Sequence, residues 1–252
     1  MFSYWAAFPA GIVIAMISSI VGIGGGILWM PFLLIALKLT PEISVLTSLA
    51  IQTVGMGSGG LAYLRQKRVD LRLTSIMLAA TAPGVMIGAR LTGAISPKHT
   101  EMIIGLLAMA TAFLFVSSNR KYDNQGDLRA ETGKTGKYLP LISLMAVFSG
   151  MLSVSIGEWI IPLMHNKMNL RMSTAIATSV MTIFGVCLLG VLFHLGLGHH
   201  PCWQALAWAA PGVLLGGQLG PAISERINER LLKEIFIFFL TLVGIHLIYN
   251  AF

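Results

Sequence analysis

The apolar segment at residues 6–37 is interrupted by glycines and a proline, and this interruption limits what the chain can form. The stretch VGIGGGILWMPFLL, residues 21–34, carries four glycines and Pro31 in a run otherwise typical of a membrane helix. Each glycine in a helix interior costs about 1 kcal/mol relative to alanine. A continuous helix over the whole segment would also exceed the roughly 20 residues that cross a bilayer. The segment therefore predicts two short helices that meet at the glycines, or a re-entrant hairpin.

Nearly the whole chain is apolar enough for a membrane. Of its 252 residues, 56% are hydrophobic and 11% are charged, whereas a soluble domain carries about 25% charged residues. The longest polar stretch, residues 117–138, is too short to form a separate domain. This composition predicts an all-α polytopic membrane protein.

The net charge of +7 comes largely from basic residues in short loops. That distribution is typical of the cytoplasmic loops of membrane proteins and does not favour nucleic-acid binding. Loop 65–72 and segment 117–138 are basic and are predicted to be cytoplasmic, whereas loop 196–204 contains no lysine or arginine and is predicted to be external. The first residues lack the basic region of a cleaved signal peptide, so we expect none.

The second half of the chain repeats the first. SSIVGIGGGILWMP at 18–31 aligns with SGMLSVSIGEWIIP at 149–162, so that the two prolines coincide. Further on, APGVMIGARL at 82–91 aligns with APGVLLGGQL at 210–219. These ordered matches predict an internal duplication.

The duplication divides the chain into two repeats of five helical segments each. We predict a first repeat over residues 1–118, a cytoplasmic linker over 119–138 and a second repeat over 139–252. Corresponding loops differ in charge as opposite sides of a membrane require, so the repeats are expected to be inverted, with both termini external. Each repeat begins with a broken or re-entrant helix pair and continues with three spans, which gives about ten helical segments. The predicted spans are 43–64, 73–93, 102–118, 173–196, 205–223 and 231–250.

Glycine-interrupted segments at equivalent positions of an inverted repeat are the best sequence indication of a transporter's binding site. The second arm of each broken region begins with unpaired N–H groups and a partial positive charge, and two such ends would favour an anion. Glycines in membrane helices also serve close packing, and we interpret the GxxxG pairs at 84–88 and 212–216 in that way. The residues predicted to form the anion site are Gly22, Gly24, Gly25, Gly26, Ser153, Ser155 and Gly157.

Polar side chains on the spans that follow are candidates for the same substrate site. They are Thr47, Ser48, Gln52, Thr178, Ser179 and Thr182. Hydrogen bonding between helices explains these side chains as well as substrate contact does. Arg90 lies late in its span, where it either extends to the membrane surface or attracts an anion toward the site.

Glu158 is a carboxylate at predicted membrane depth, where a charge costs about 3 kcal/mol on insertion scales. It is expected either to carry a coupling proton or to be stabilised by the helix N-terminus beside it. His199, His200 and Cys202 suggest metal ligands in an external loop, but an ordinary loop explains them better. We predict no cofactor, no metal site and no catalytic constellation, so we do not expect an enzyme.

The motifs GIGGGILWMPFLL, TSLAIQ and APGVMIGARL, with the degenerate second copy, resemble those of the TauE/SafE family. These are sulfite and organosulfonate exporters, also called the toluene sulfonate uptake permease family, and the resemblance covers nearly the whole chain. It implies an inner-membrane protein that moves sulfite, thiosulfate or organosulfonates by secondary transport linked to the proton gradient. The broken-helix motif of the family falls on Gly22–Pro31 and Ser153–Pro162, with Glu158 in the second copy where the first has Ile27.

The sequence thus predicts a secondary active transporter of small sulfur-containing anions, with alternating access around a midplane site formed by two broken helices. The expected partners are a small anionic substrate and the lipid bilayer, without nucleic acid, and a homodimer is compatible with the sequence. Two alternatives remain open: a metal-ion transporter or metalloenzyme assembly factor, and an anion channel.

Overall fold

The computed structural model describes residues 4–94, 97–117, 126–130 and 135–224, together with residues 237–238, 241–242, 244–246 and 248–249. These residues are almost entirely helical and include no β-strand, only an isolated bridge between Asp127 and Leu170. Five of the helices searched are long and apolar enough to cross a membrane. The prediction of a polytopic helical membrane protein is therefore confirmed.

The first half of the chain begins with two short helices that meet at the glycines. Its helices are α1 (Ala7–Val21), α2 (Gly26–Pro31), α3 (Pro41–Arg65), α4 (Leu71–Leu91) and α5 (Pro97–Ser117). A π-helical turn over Phe32–Ala36 continues α2. Pro31 has no N–H to donate to the preceding turn, which favours this wider turn directly after it.

The second half begins in the same way. Its helices are α6 (Leu139–Leu152), α7 (Gly157–Met168), α8 (Met172–Gly196) and α9 (Trp203–Ile223). The predicted spans 43–64, 73–93, 173–196 and 205–223 agree with helices α3, α4, α8 and α9. The predicted span at 231–250 lies largely outside the described residues.

The helices α1 and α6 end in the same local structure, a left-handed residue directly after the last helical residue. Gly22 has φ +77° and its amide donates to the Ser18 carbonyl at 2.9 Å. Ser153 has φ +57° and its amide donates to the Ser149 carbonyl at 2.9 Å. A left-handed residue is a common helix end and costs a non-glycine residue about 1 kcal/mol or more. Ser153 adopts this left-handed conformation despite its cost, and its side chain forms hydrogen bonds in the site described below.

The GxxxG pairs on α4 and α9 pack against neighbouring backbone, as the sequence predicts. A Cβ on Gly84 would collide with the Ser143 carbonyl oxygen of α6, and a Cβ on Gly212 would collide with the Phe8 carbonyl oxygen of α1. The second glycine of each pair meets a carbonyl of the next turn in the same way. Close approach of the backbones therefore fixes α4 on α6 and α9 on α1.

Each half packs chiefly on the other half. Helix α1 lies along α9 and α6 lies along α4, while α3 contacts α8 and α9, and α8 contacts α3 and α4. The contact of α1 with α9 thus corresponds to that of α6 with α4, and the contact of α3 with α9 corresponds to that of α8 with α4. This correspondence is compatible with the predicted duplication. The inverted orientation of the repeats and the boundaries of the two repeats stay predictions. In consequence α3 and α8 pack on each other and lie beside the two breaks.

The described part of the linker is attached to both halves. The Asp127 amide donates to the Asn169 carbonyl at 2.8 Å, and the Arg171 amide donates to the Asp127 carbonyl at 2.9 Å. The Ala130 amide donates to Oδ2 of Asp70 at 3.0 Å, at the start of α4. These bonds hold residues 126–130 between the α7–α8 connection and the N-terminus of α4.

Candidate functional site

The two breaks meet inside the protein. We call residues 22–25 the first tip and residues 153–156 the second tip; both are fully buried. The helices that follow them begin at Gly26 and Gly157, within the starting stretches predicted from the sequence. The structure therefore brings together the two segments that the sequence predicts as one site.

The tips touch through glycines, in a reciprocal way. A Cβ on Gly26 would collide with the Ser153 carbonyl oxygen of the second tip. A Cβ on Gly157 would stand 2.7 Å from the Gly22 carbonyl oxygen of the first tip, too close for a real side chain. Only glycine lets the start of each short helix reach the backbone of the other tip.

The second tip crosses α3 through a polar cluster. Nε2 of Gln52 donates to Oγ of Ser153 at 2.8 Å and contacts Oγ of Ser48 at 3.2 Å. Oγ of Ser153 donates to Oγ of Ser48 at 2.9 Å. We call the set Ser48, Gln52, Ser153 and Ser155 the polar crossing.

Ser155 connects the two tips through one oxygen. Its Oγ accepts the amide of Gly24 at 2.8 Å and the amide of Gly157 at 3.0 Å. A serine oxygen has two lone pairs, so these two amides use its acceptor capacity and leave the hydroxyl hydrogen to donate elsewhere. The protein itself therefore satisfies one amide of the first tip and the first amide of α7.

The side-chain oxygen of Gln52 is buried without a hydrogen-bond partner in the described part of the chain. Its side chain is 2% exposed, and its Oε1 has no hydrogen-bond partner among the described residues. A Cβ on Gly24 would stand 2.9 Å from this oxygen, so it faces the first tip. Because a buried, unpaired polar group costs about 1–3 kcal/mol, such an atom indicates a missing partner.

The first tip crosses α8 in the equivalent place, with far fewer polar groups. Oγ of Ser179 donates to the Gly22 carbonyl at 2.7 Å. The repeat alignment places Ile183 where α3 has Gln52, and Gly24 where the second tip has Ser155. We call the set Gly22, Gly24, Ser179 and Ile183 the apolar crossing.

The start of α2 has amides without a carbonyl partner inside the helix. Gly25 is the N-cap of α2, and its carbonyl accepts the amides of Leu28 at 3.0 Å and Trp29 at 2.8 Å. The amides of Gly26 and Ile27 come first in the helix and have no carbonyl within it to bind. Gly26 itself lies against the Ser153 carbonyl of the second tip, in the stretch that the sequence predicts as part of the anion site.

Thr47, Thr178 and Thr182 take part in bonds between and within helices. Oγ1 of Thr47 accepts the Cys202 amide at 2.8 Å, and Oγ1 of Thr178 accepts the Asp70 amide at 3.0 Å. These two amides belong to the N-caps of α9 and α4. Oγ1 of Thr182 donates to the Thr178 carbonyl at 2.8 Å. These contacts fit the interhelical alternative, and a role in substrate binding stays a prediction.

Two further predicted residues lie apart from the cluster or outside the description. Arg90 is exposed, near the end of α4. Glu158 follows Gly157 in the first turn of α7, and its side chain lies outside the described residues. The proposed coupling role of Glu158 therefore stays a prediction from the sequence.

Buried polar groups that sequence reasoning missed lie on the helices around the tips. The hydroxyls of Ser18 and Ser19 are buried without a hydrogen-bond partner among the described residues. A Cβ on Gly25 would stand 3.3 Å from Oγ of Ser18. The alignment of Ser18 with Ser149 was the only signal in the sequence for this position.

His194 is a second residue that sequence reasoning missed, and it contacts His199 of the histidine-containing loop. Its Nε2 lies 2.8 Å from the Gly150 carbonyl, and its Nδ1 lies 3.0 Å from Nδ1 of His199. Because a carbonyl only accepts, Nε2 carries a hydrogen, and in the neutral pair His199 donates to Nδ1 of His194. The described residues contain no group of three or more metal-binding side chains, so no observation there favours a metal site.

The comparisons with known proteins can be set beside this geometry. A family model described as "Sulfite exporter TauE/SafE" matches residues 7–247 of the chain. The chain belongs to the TauE/SafE family. The resemblance that the motifs indicate is thereby confirmed, and the tips described above are the glycine breaks of this family member.

Relatives of this TauE/SafE protein are similar over nearly their full length. A probable membrane transporter protein, YunE of Bacillus subtilis (strain 168), is 26% identical over 262 residues, which cover 96% of each chain. The probable membrane transporter protein ORF9 of Sinorhizobium sp is 26% identical over 241 residues, 94% of this chain and 87% of that protein. No solved structure gives a significant match. The chain is therefore a multi-pass membrane protein of a transporter family.

Proposed function

We propose that this protein is a secondary transporter of small sulfur-containing anions (sulfite, thiosulfate or organosulfonates) and that its two tips form the substrate site. The family description names sulfite export, and two relatives are named as probable membrane transporter proteins. The single observation that carries the proposal is the reciprocal contact of the tips, Gly26 against Ser153 and Gly157 against Gly22. Two short helices thereby start at one buried point.

The physical reason is electrostatic. Each helix start carries a partial positive charge of up to about half a unit. Ser155 accepts the Gly157 amide at the start of α7, while the other amides of each first turn have no carbonyl partner within their own helix. Glycines allow an oxyanion to approach the backbone there, as at other anion sites on helix N-termini. The polar crossing adds hydroxyl and amide groups on one side.

Transport requires the tips to separate. In the described structure they are in contact, so the anion enters when one tip moves with its half. The first tip bonds to α8 through Ser179, and the second bonds to α3 through Ser48 and Gln52. Rocking of one half against the other would change both crossings together, which is the motion that alternating access needs.

The proposal includes coupling to protons and a location in the inner membrane. Glu158 would carry the coupling proton beside the start of α7, since an acidic group at membrane depth is commonly functional. The linker at 119–138 would be cytoplasmic and both termini external, as the distribution of basic residues indicates.

Flux measured in proteoliposomes tests this function. Purified protein is given sulfite, thiosulfate, methanesulfonate and sulfate in turn, with and without an imposed pH gradient. Saturable flux that the gradient drives uphill supports a coupled carrier, whereas flux that never saturates or accumulates identifies a channel. Folded protein that moves none of these anions contradicts the proposal.

A variant separates coupling from binding. Glu158→Gln cannot carry a proton, so it should keep exchange of anion across the membrane and lose uphill accumulation. Unchanged accumulation would assign the coupling proton elsewhere.

A further inference from the structure

A hydrogen-bond donor and an acceptor converge on the first tip. A Cβ on Gly24 would stand 2.5 Å from Oγ of Ser155 and 2.9 Å from Oε1 of Gln52. The Ser155 hydroxyl already accepts two amides, so it can only donate to a further group. Oε1 of Gln52 can only accept, and it has no partner among the described residues. A ligand group that both accepts and donates would satisfy this pair.

The orientation of the Gln52 amide is fixed by its neighbours. Its nitrogen lies 3.3 Å from the Ser153 carbonyl oxygen and 3.4 Å from the Ser48 carbonyl oxygen. Reversal of the amide would place an oxygen against two carbonyl oxygens, which only accept. Oε1 therefore faces the first tip, and the unpaired acceptor is a property of the site.

The charge of the site suits a monoanion. The described side chains of both crossings are neutral, since their buried polar members are serines and one glutamine. The starts of α2 and α7 supply at most about one positive charge in total, and Glu158 in the first turn of α7 lowers this charge when it is ionised. The cost of burying an ion rises with the square of its charge, so a dianion costs about four times as much as a monoanion.

We infer that the tips bind a singly charged oxyanion, and that sulfite is bound as hydrogen sulfite with its hydroxyl donating to Oε1 of Gln52. This inference rests on the proposed function. An oxygen of the same ion accepts from the Ser155 hydroxyl. In sulfite transport one proton then crosses the membrane on the substrate, in addition to the coupling proton proposed for Glu158.

The pH dependence of two substrates tests the inference. Hydrogen sulfite loses its proton near neutral pH, whereas methanesulfonate is a monoanion without a hydroxyl at every working pH. Sulfite flux at fixed total concentration should fall from pH 5.5 to 8.5 with the hydrogen sulfite fraction, while methanesulfonate flux stays level. Any change in methanesulfonate flux with pH thus measures the effect of titrating groups in the protein, including Glu158, the ionisable residue beside Gly157. Sulfate and thiosulfate, both dianions throughout this range, should move at least tenfold more slowly, so the inference narrows the proposed substrates to sulfite and organosulfonates.

Gln52→Met removes the acceptor and keeps the length of the side chain. We expect it to lower the flux of both anions, because the bonds to Ser48 and Ser153 are lost, and to lower hydrogen sulfite flux about tenfold more than methanesulfonate flux, the effect of one lost hydrogen bond to the ion. Gln204→Met makes the same exchange at an exposed position of α9 and should leave both fluxes unchanged. Elution as a single peak in detergent confirms that each variant is folded.

The outcomes separate the inference from the function. Sulfite flux that rises toward alkaline pH, or sulfate carried as fast as methanesulfonate, overturns the choice of a monoanion and leaves anion transport standing. Equal loss of both monoanions in Gln52→Met overturns the role of Oε1. Absence of flux for every anion in folded wild-type protein overturns the proposed function and this inference with it.

Discussion

The polar and apolar crossings share a backbone and differ in their side chains. In each, a left-handed residue ends a helix, a glycine begins the next, and a serine of a long helix reaches the tip. In the polar crossing Gln52 and Ser155 add an amide and a hydroxyl, whereas Ile183 and Gly24 stand in the equivalent places. The repeated backbone therefore holds one polar crossing and one apolar crossing.

Because only one crossing is polar, the number of bound anions per chain is limited. If both crossings were polar, each would offer a position for an anion. The combined positive charge of the two buried helix starts, however, balances the charge of only one anion. The isoleucine and glycine of the apolar crossing supply no side-chain hydrogen-bonding group for a second anion. The comparison therefore predicts a single bound ion for each chain.

The largest effect is expected where the two crossings meet through glycine. Gly26→Ala places a Cβ on the Ser153 carbonyl, a backbone atom that cannot move aside, so flux should fall to that of empty liposomes. Gly157→Ala meets the Gly22 carbonyl and a flexible methyl of Ile183, and should be less severe. Flux of methanesulfonate measures both.

Gly196→Ala is the matched control, because a Cβ there meets no atom within 4 Å. It should transport as the wild type does. Normal flux in Gly26→Ala would show that the tips need not touch.

The next effect compares one serine from each crossing. Ser155→Ala leaves the amides of Gly24 and Gly157 buried without their acceptor, which should cost about 1–3 kcal/mol of stability and lower flux. Ser179→Ala removes one hydrogen bond to a carbonyl and should cost about 1 kcal/mol. Thermal unfolding in detergent compares the two. Equal costs would mean that the crossings are energetically equivalent.

The smallest effect is expected outside both crossings. Thr47→Val and Thr178→Val each remove the acceptor of one N-cap amide and should cost about 1 kcal/mol without a change in KM. The readout is KM for methanesulfonate beside the melting temperature. A rise in KM with unchanged stability would instead make these threonines substrate ligands and extend the site beyond the tips.

The sequence was sufficient for the breaks and their equivalence, because local chemistry decides them. The three consecutive glycines at 24–26 weaken a helix locally, and the repeat alignment carries the break to residues 155–157, so the new starts at Gly26 and Gly157 require no knowledge of tertiary structure. The GxxxG packing was predicted for a similar reason, since small residues permit close backbones.

The contacts that distinguish the crossings were not predictable from the sequence. The Thr178 hydroxyl meets the Asp70 amide across 108 residues, and the Gly24 amide meets Ser155 across 131 residues. Such pairs depend on the register of α3, α4 and α8 at the centre, which periodicity does not report. His194 was overlooked because a single histidine in an apolar run gives no sign of the Gly150 carbonyl opposite it.

The most direct test of an anion site between the tips is the rise in melting temperature that methanesulfonate produces. At ten times the dissociation constant, binding to the native state adds about 1.4 kcal/mol, which a detergent melt detects. The melting temperature of the wild type and of Gly196→Ala should rise with methanesulfonate and stay level with chloride of equal ionic strength, while that of Gly26→Ala stays level with both. An equal rise in Gly26→Ala would place the anion elsewhere in the protein and contradict the account.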